Sequence, residues 1–582
     1  MKSNWRWQLL LTAVCLAAVW VLLSYQEPTP APPPPSDTQI DILPTATFPP
    51  DELLCTQQVP GAGGELVEGV VGRPQYPNPL LAGRNPVDRY LVDLVFDGLT
   101  RYNRDGDLEP SLAESWSVSE DGRSITFTLR GDGQWHDGQP VTTADVAYTY
   151  GLLQQPAAQQ AGLSDAALWQ NVNIEVVDGR QIRFNLADPY APFLEATTRG
   201  ILPNHLLNGT DFAGLATHPI NQQPVGTGPF VVQNNWATDG AVVLLPNVQY
   251  WGDGVLLNAI QVRFYASDSE RYQAFLNGEI TALGDLPSMV LGSVMAEANA
   301  QFYTTLLPRY TQLLFNLDDT AASPIQELAV RQSIVQAVDK STLLASGIAG
   351  QGIPFDGPYL PNSFAYDPNI PAAVTTNVIS ASDQLTAAGW VTLEGASPGS
   401  VREKDGEQLQ LRLLARVSSD QQLLADFLAE MVQQLGVQVD LSVEPHEIYQ
   451  QRLESGDFDM VLIDISPAAD PDLYDFWSQE AIVRGQNYGY WNNRRASEAL
   501  EAARQLWNPD ERNQFYRAFL QFYQEDVPAL TLYQHVSNYA VSEQLLGVDI
   551  GRVVTPRDRY LTFPQWHTQL ADQPIPCDRL SE

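Results

Sequence analysis

Two apolar rhythms alternate along the chain. Ser419 opens SDQQLLADFLAEMVQQLG, in which Leu424, Phe427, Leu428, Met431 and Leu435 return at helical spacing, Gln422 completes a capping box and Gly436 closes the segment. VQVDLSV then alternates apolar and polar like a strand, and HEIYQQRLES predicts a short helix ending near Gly456. DMVLIDI, residues 459–465, has the unbroken apolar character of a buried strand. Helix, strand, helix, strand is the grammar of an α/β layer. An echo stands nearly two hundred residues earlier. IQVRFYA from Ile260 reads as a strand, SERYQAFLNG from Ser269 as a helix closed by Gly278, and EITALGDL as a strand ending near Asp285. YQAFLNGEI parallels YQQRLESGDF with one residue of offset, so two comparable α/β lobes are expected.

Between residues 108 and 186 the texture changes. SITFTLRGDGQW and QIRFNLADP predict short strands joined by polar turns around a helix over 144–154, an α+β insertion in the first lobe. A further helix is predicted from Ser323, with Pro324 at its first position, Gln326 completing the cap and Val330, Ile334, Ala337 and Val338 as the buried stripe. It opens the second lobe just after LLFNL, residues 313–317.

Composition changes the picture at the N-terminus. Lys2 and Arg6 precede an apolar run, residues 9–23, flanked by Trp5, Trp7, Trp20 and Tyr25, enough with its flanks for the roughly 17–20 residues a bilayer core requires. Neither Leu22-Leu23-Ser24-Tyr25 nor the surroundings of Cys15 suit a cleavage site, so an uncleaved anchor is preferred over a cleaved leader. QEPTPAPPPPSDT after it is a semi-rigid spacer. The bulk of the chain is therefore expected outside the cell membrane, where Cys55 and Cys577 have the chance to pair and staple the ends of the globular part; two free thiols are the alternative. A net charge of -37, with Lys2, Lys340 and Lys404 as the only lysines, argues against nucleic acid as partner.

Candidate chemistry narrows further. GDGQWHDGQPVTTADV, residues 131–146, has the wrong residues for a calcium loop, since His136 and Asp137 fall where an oxygen ligand and the glycine belong. None of the other histidines stands at zinc-ligand spacing to His136. A turn at Asp137-Gly138 and a capping box of Thr142 with Asp145 explain the stretch structurally. Residues 395–399 fit G-x-S-x-G, but Pro398 has no N–H for an oxyanion hole. HExxH, GxxxxGK and complete GxGxxG patterns do not occur.

The run FDGLTRYNRDGDLEPSLAESWSVSEDGRSITFTLRGDGQWHDGQPVTTADVAYTY, residues 96–150, resembles the signature region of the family 5 extracellular solute-binding proteins, the oligopeptide-, dipeptide- and nickel-binding receptors of ABC transporters. GTGPFVV at Gly226, Tyr250-Trp251, LLFNL with PIQELAVRQSIVQAVDK, and SGDFDMVLIDISPAADPD extend the likeness in order from about residue 65 to 540. The resemblance implies a two-lobed periplasmic-binding-protein (type II) α/β fold with an extra α+β subdomain. Its parts are an anchor at 1–25, a linker at 26–54, first-lobe segments at 55–107 and 216–312, the insertion at 108–215, the second lobe at 313–540, and a return to the first lobe at 541–582. It further implies a monomeric, non-enzymatic receptor without cofactor or metal, gripping a peptide or similar solute between hinged lobes and docking on a membrane permease. A sensor on the same scaffold and, in another class, an extracellular hydrolase are the alternatives.

In open α/β sheets ligands sit beyond the carboxyl ends of strands, so DMVLIDI delivers residues 465–477 to the expected rim. Tyr474, Trp477, Tyr488 and Trp491 are candidate aromatic walls, joined through the resemblance by Tyr76, Asn78 and Tyr359. Trp477→Ala is accordingly expected to weaken binding with little loss of stability. Peptide receptors of the family carry an amino-terminus-binding aspartate shortly before the Asp-Pro pair, but Ser466-Pro467-Ala468-Ala469 stands there. Asp464 and Asp470 are the candidate substitutes.

Overall fold

An unbroken apolar strand needs cover on both faces, and the second lobe supplies it. In the strand Met460–Ile465, Met460 and Leu462 face one core while Val461, Ile463 and Ile465 face another. The same alternation parts Leu313 and Phe315 from Leu314 in the strand Ala300–Phe315. Helices Leu328–Ala337, Lys340–Gly347, Val378–Ala387 and Ser419–Gln433 close the first face. His446–Ser455, Arg494–Arg504 and Pro509–Asp526 close the second.

The computed structural model describes residues 54–576 apart from 164–165, 234–235, 237–239, 298, 321, 370–374 and 393–399. The expected anchor, nearly all of the linker, the G-x-S-x-G stretch and the pairing of Cys55 with Cys577 lie outside the described residues. Among the described residues no helix is long and apolar enough to cross a membrane. Residues 58–572 form one compact unit.

An 11-stranded sheet runs through both lobes. Its order from the second lobe outward is Gln438–Glu444, Gln410–Arg416, Met460–Ile465, Ala300–Phe315, Ala529–Ser542, Ala282–Leu283, Glu65–Val71, Ala259–Tyr265, Ala241–Pro246 and Phe230–Val232, with Gly352–Pro354 added beside Ala529–Ser542. The echo between the halves has a structural counterpart. In the first lobe Ala259–Tyr265 and Ala282–Leu283, joined by the helix Asp268–Leu276, flank Glu65–Val71 in parallel. In the second, Gln438–Glu444 and Met460–Ile465, joined by His446–Ser455, flank Gln410–Arg416 in parallel. Each lobe thus has a β-α-β crossover straddling one central strand.

The long antiparallel pair Ala300–Phe315 and Ala529–Ser542 belongs to both lobes. Its near end lies against first-lobe strand Ala282–Leu283 and its far end against Met460–Ile465. Leu306 pairs with Val536 and Tyr310 with Gln534, so Leu307, Pro308 and Arg309 oppose His535 alone. Pro308 has no N–H for the ladder, which is where a bulge is tolerated. The expected changeover between residues 312 and 313 thus falls inside a continuous strand, next to a small register shift between Thr311 and Gln312, while the wider ladder irregularity lies at 307–309.

Several expectations shift by small amounts for local reasons. The strand expected over EITALGDL is only Ala282–Leu283, because Asp285 adopts a left-handed φ of 52° and turns the chain. The helix expected from Ser323 begins as the single 3-10 turn Pro324–Gln326; extended backbone at Glu327 separates it from Leu328–Ala337. Ser418, one residue before the expected position, caps Ser419–Gln433 by accepting from the Gln421 N–H at 3.1 Å.

The insertion is a four-stranded antiparallel sheet, Ala113–Val118, Ser124–Leu129, Gln181–Asn185 and Asn173–Val176, with the helix Thr143–Leu153 packed on it. Thr142 and Asp145 form the expected capping box. Its core is continuous with that of the first lobe, Phe127, Trp169 and Phe184 belonging to one cluster with Leu66, Val242 and Trp566. The 131–146 loop is a structural corner. Trp135 is buried, and the Gly226 N–H donates to His136 Nδ1 at 3.2 Å, leaving Nε2–H to donate to the Gly228 carbonyl at 3.1 Å. Burial holds the His136 pKa below its ordinary value, consistent with a neutral ring whose two nitrogens serve the backbone.

Candidate functional site

At the hinge lies a cavity of about 820 Å³ whose walls come from both lobes. Its floor is the bulge: Leu307, Pro308 and Arg309 with His535 opposite. First-lobe residues 68–71 and 284–287 reach it from the carboxyl ends of Glu65–Val71 and Ala282–Leu283. Ser466 and Pro467, just past Met460–Ile465, and Asp420, in the first turn of Ser419–Gln433, face it from the second lobe. Strand carboxyl ends therefore line this cavity, the position where open α/β sheets place ligands.

The wall's charges are largely tied to one another. Glu68, 1% exposed, accepts from the Tyr539 hydroxyl at 3.0 Å, from the Tyr560 hydroxyl, and from Arg559 Nη1 at 3.3 Å. Arg559 also pairs with Asp285 at 3.5 Å, and Arg271 with Asp268 at 2.6 Å. Behind the floor, Arg309 Nη2 donates to His535 Nδ1 at 3.2 Å, so the ring proton sits on Nε2 and points to Thr311 Oγ1 at 2.8 Å. The Thr311 hydroxyl passes the chain on to Asp464 Oδ1 at 2.6 Å. Burial and the charge of Arg309 favour neutral His535. Burial opposes the charge on Asp464, yet the His535 and Thr311 hydrogen bonds and nearby Arg309 hold its carboxyl down at about 2.

None of the nine ligand-binding candidates read from the sequence lines this cavity. Trp477, Trp491 and Tyr359, at 1%, 3% and 2% exposure, are packed in the second lobe's core, where they fill the gap between sheet and helices. Tyr488 is partly buried against the same cluster, and Tyr474 lies under Arg504, 4.3 Å from its ring centre, while donating to Glu480 at 3.2 Å. Asn78 is buried with its Oδ1 accepting the Leu80 N–H at 2.9 Å, and the Tyr76 N–H donates to Asp88 at 2.9 Å, so both belong to a first-lobe turn. Asp464 is held behind the floor, also accepting from Gln421 at 3.2 Å. Asp470 forms a two-pronged pair with Arg512 at 2.5 and 2.6 Å. The sequence features that coincide with the cavity floor are Pro308-Arg309 interrupting an apolar run and His535 inside an apolar strand.

A second seam joins the lobes away from the cavity. The Asp470 N–H donates to Glu195 Oε1 at 2.5 Å, the Tyr102 hydroxyl donates to the same oxygen at 3.0 Å, and Trp507 Nε1 donates to the Gly122 carbonyl at 3.1 Å. Burial, then the charges of Asp470 and Asp472, push the Glu195 carboxyl up to about 7. A carboxyl that holds its proton to about 7 when folded, against 4.5 ordinarily, stabilises fully below 4.5 and loses that contribution as pH rises through 7. Urea midpoints between pH 5 and 8.5 should show Glu195→Gln gaining on the wild type by up to about 3 kcal/mol at the alkaline end. Parallel pH profiles would remove Glu195 as the cause.

Residues 107–482 match the family model described as bacterial extracellular solute-binding proteins, family 5 middle. The chain is 27% identical to protein XP55 of Streptomyces lividans over 84% of this chain and 86% of that protein. It is likewise 27% identical to the nickel-binding periplasmic protein of Escherichia coli, over 65% and 71%. Among solved structures, NikZ of Campylobacter jejuni in complex with Ni(L-His) is 26% identical, with a TM-score of 0.70 across 86% of this chain and 99% of that one. The oligopeptide-binding protein AppA of Bacillus subtilis, in complex with a nonapeptide, superposes with a TM-score of 0.67 at 21% identity, across 88% and 99%.

Proposed function

We infer, from the premise that the chain belongs to family 5 of the bacterial extracellular solute-binding proteins, that it captures a small solute between its lobes outside the cytoplasm and delivers it to an ABC transporter permease. The observation that carries this reading is the cavity at the hinge, walled by both lobes and floored by the strands they share. A solute that touches both walls binds the closed arrangement better than the open one, and that difference drives closure. The work is binding without chemical change. Residues 1–25 serve as an inside-facing membrane tether and the proline-rich linker as its spacer, a reading supported by the apolar run with its basic residues in front. The protein works as a monomer, needs no cofactor, and docks in its closed form on the permease.

A peptide is the first class of solute to try, although Ser466-Pro467-Ala468-Ala469, whose first two residues reach the cavity wall, stands where peptide receptors of the family carry an aspartate. Thermal denaturation of the purified full-length protein against peptides, sugars, nickel chelates and polyamines tests the reading. The expected result is a raised melting temperature with one solute class, at 100 times its Kd about 2.7 kcal/mol of stabilisation, and the solute recovered unaltered. Conversion of the solute would instead identify a hydrolase.

A further inference from the structure

The second lobe holds a cavity of about 300 Å³ that shares no lining residue with the hinge cavity. It lies where the strand Ala529–Ser542 begins, between the helices Leu328–Ala337, Val378–Ala387 and Pro509–Asp526. In a chain with 69 acidic residues its wall carries one carboxylate, Asp356, and Lys340 Nζ already holds that group at 2.5 Å. Amides take the place of charge. Gln332 Oε1 accepts from Gln384 Nε2 at 2.6 Å and Gln336 Nε2 donates to Ser380 Oγ at 3.1 Å, which leaves donors on Gln332 and acceptors on Gln336 and Gln384 for a guest. The Tyr523 hydroxyl on the same wall has no hydrogen bond among the described residues, although the side chain is only 3% exposed; the Thr531 hydroxyl gives its proton to the Gly357 carbonyl at 2.7 Å. Buried polar groups are ordinarily paired, so this one calls for a partner that the chain does not supply.

The strand edge points to the kind of partner. The Phe315 N–H donates to the Pro528 carbonyl at 3.0 Å, and bonded and non-bonded pairs alternate along an antiparallel ladder, so Leu314–Ala529 and Gln312–Thr531 are non-bonded pairs. Ala529 and Thr531 therefore turn their main-chain N–H and C=O away from Ala300–Phe315, toward the opposite edge. There Gly352–Pro354 pairs with residues 533–535 and leaves 529–531 without a strand neighbour. Both Ala529 and Thr531 line the cavity. The corner beside them is held in advance: Val527, also on the wall, has a left-handed φ of 50°, and Arg331 donates to the Asp526 and Val527 carbonyls at 2.7 and 3.0 Å.

We propose that this cavity receives a short, uncharged, extended segment of a partner polypeptide, which pairs with Ala529 and Thr531 as an added strand. Edge main-chain groups supply the hydrogen bonds of such an addition, and the glutamines and Tyr523 meet the side chain and remaining amides of the guest. A free peptide would bring an ammonium and a carboxylate to a wall with no charge left to meet them, whereas an internal stretch of a protein brings neither.

N-acetyl-trialanine amide stands in for the internal stretch, with trialanine and glucose as comparisons, all against the full-length protein. Hydrogen exchange reads the added strand: at saturating capped peptide, protection is expected to rise about fivefold or more at 529–531 and to stay unchanged at 533–537 on the hinge side. Tyr523→Phe, which keeps the ring, and Gln384→Leu are each expected to weaken the capped peptide about threefold or more in titration calorimetry, and their unliganded melting temperatures check that both fold. Trialanine or glucose protecting 529–531 as well as the capped peptide overturns the choice of an uncharged polypeptide. Protection at 533–537 instead, no protection at all, or undiminished binding to both variants overturns the site, and each of these outcomes leaves the receptor reading of the hinge untouched.

Discussion

Trp477→Ala is expected to lower the stability of the protein by about 3–5 kcal/mol, the range for removing a fully buried large aromatic side chain. Trp477 is 1% exposed and stands edge-on to Trp491, with centroids 5.8 Å apart, and to Tyr523, at 5.2 Å. These rings fill the core between the Val461, Ile463 and Ile465 face of the sheet and the helices Arg494–Arg504 and Pro509–Asp526. The indole Nε1 has no hydrogen-bond partner, so the loss is packing and hydration, and Trp477→Phe should cost distinctly less. The hinge cavity proposed for the solute does not include Trp477, so affinity at a temperature where the variant is folded should stay within about twofold. Urea denaturation and calorimetric titration separate the two effects; an unchanged urea midpoint with weakened binding would return Trp477 to the cleft.

The second large effect is expected at Gly226. A Cβ there would overlap the carbonyl oxygen of Val95, at 1.9 Å, and approach its carbon to 2.7 Å, while a Cβ on Gly228 would come no nearer than 2.7 Å to the same backbone. Val95 ends the helix Pro86–Val95, and the Gly228 N–H donates to its carbonyl at 2.8 Å, so the GTGPF segment is laid directly on that helix end. The clash is with main chain, which cannot swing aside. Gly226→Ala should therefore cost more than about 3 kcal/mol, at or beyond the upper end for overpacking, and separate the His136 corner from the first lobe. Gly138→Ala is the contrasting control: its Cβ meets open space, although its φ of 83° still adds strain. Soluble yield and far-UV melting curves would read the difference, and a Gly226→Ala protein melting within a few degrees of the wild type would disprove the close approach.

Local signals were legible in the sequence and long-range ones were not. The Thr142–Asp145 box, the Gly456 helix end and the two β-α-β units all depend on neighbours within about thirty residues, and they stand as expected. The unbroken DMVLIDI run correctly implied a strand covered on both faces. The hinge cavity did not show in the sequence because it draws single residues from distant segments, brought together by strand pairing across more than two hundred residues. Aromatic density near residue 477 does not by itself separate a cleft from a core, since a lobe with helices on both faces of its sheet needs the same rings for its interior as a cleft would need for its wall. His136 was read correctly for a different reason: its neighbours in sequence lacked ligand spacing, and the structure gives both of its nitrogens to backbone groups.

The sharing of Ala529–Ser542 between the lobes bears on how the protein is made. Tyr539, Val541, Tyr560, Phe563 and Trp566 belong to the same core as Leu66 and Leu91. The half of the molecule that leaves the ribosome first thus waits for residues 539–566 before its interior closes, whereas the later half holds most of its parts in consecutive sequence. Chains stopped short of residue 529 should remain open and protease-sensitive over their first three hundred residues.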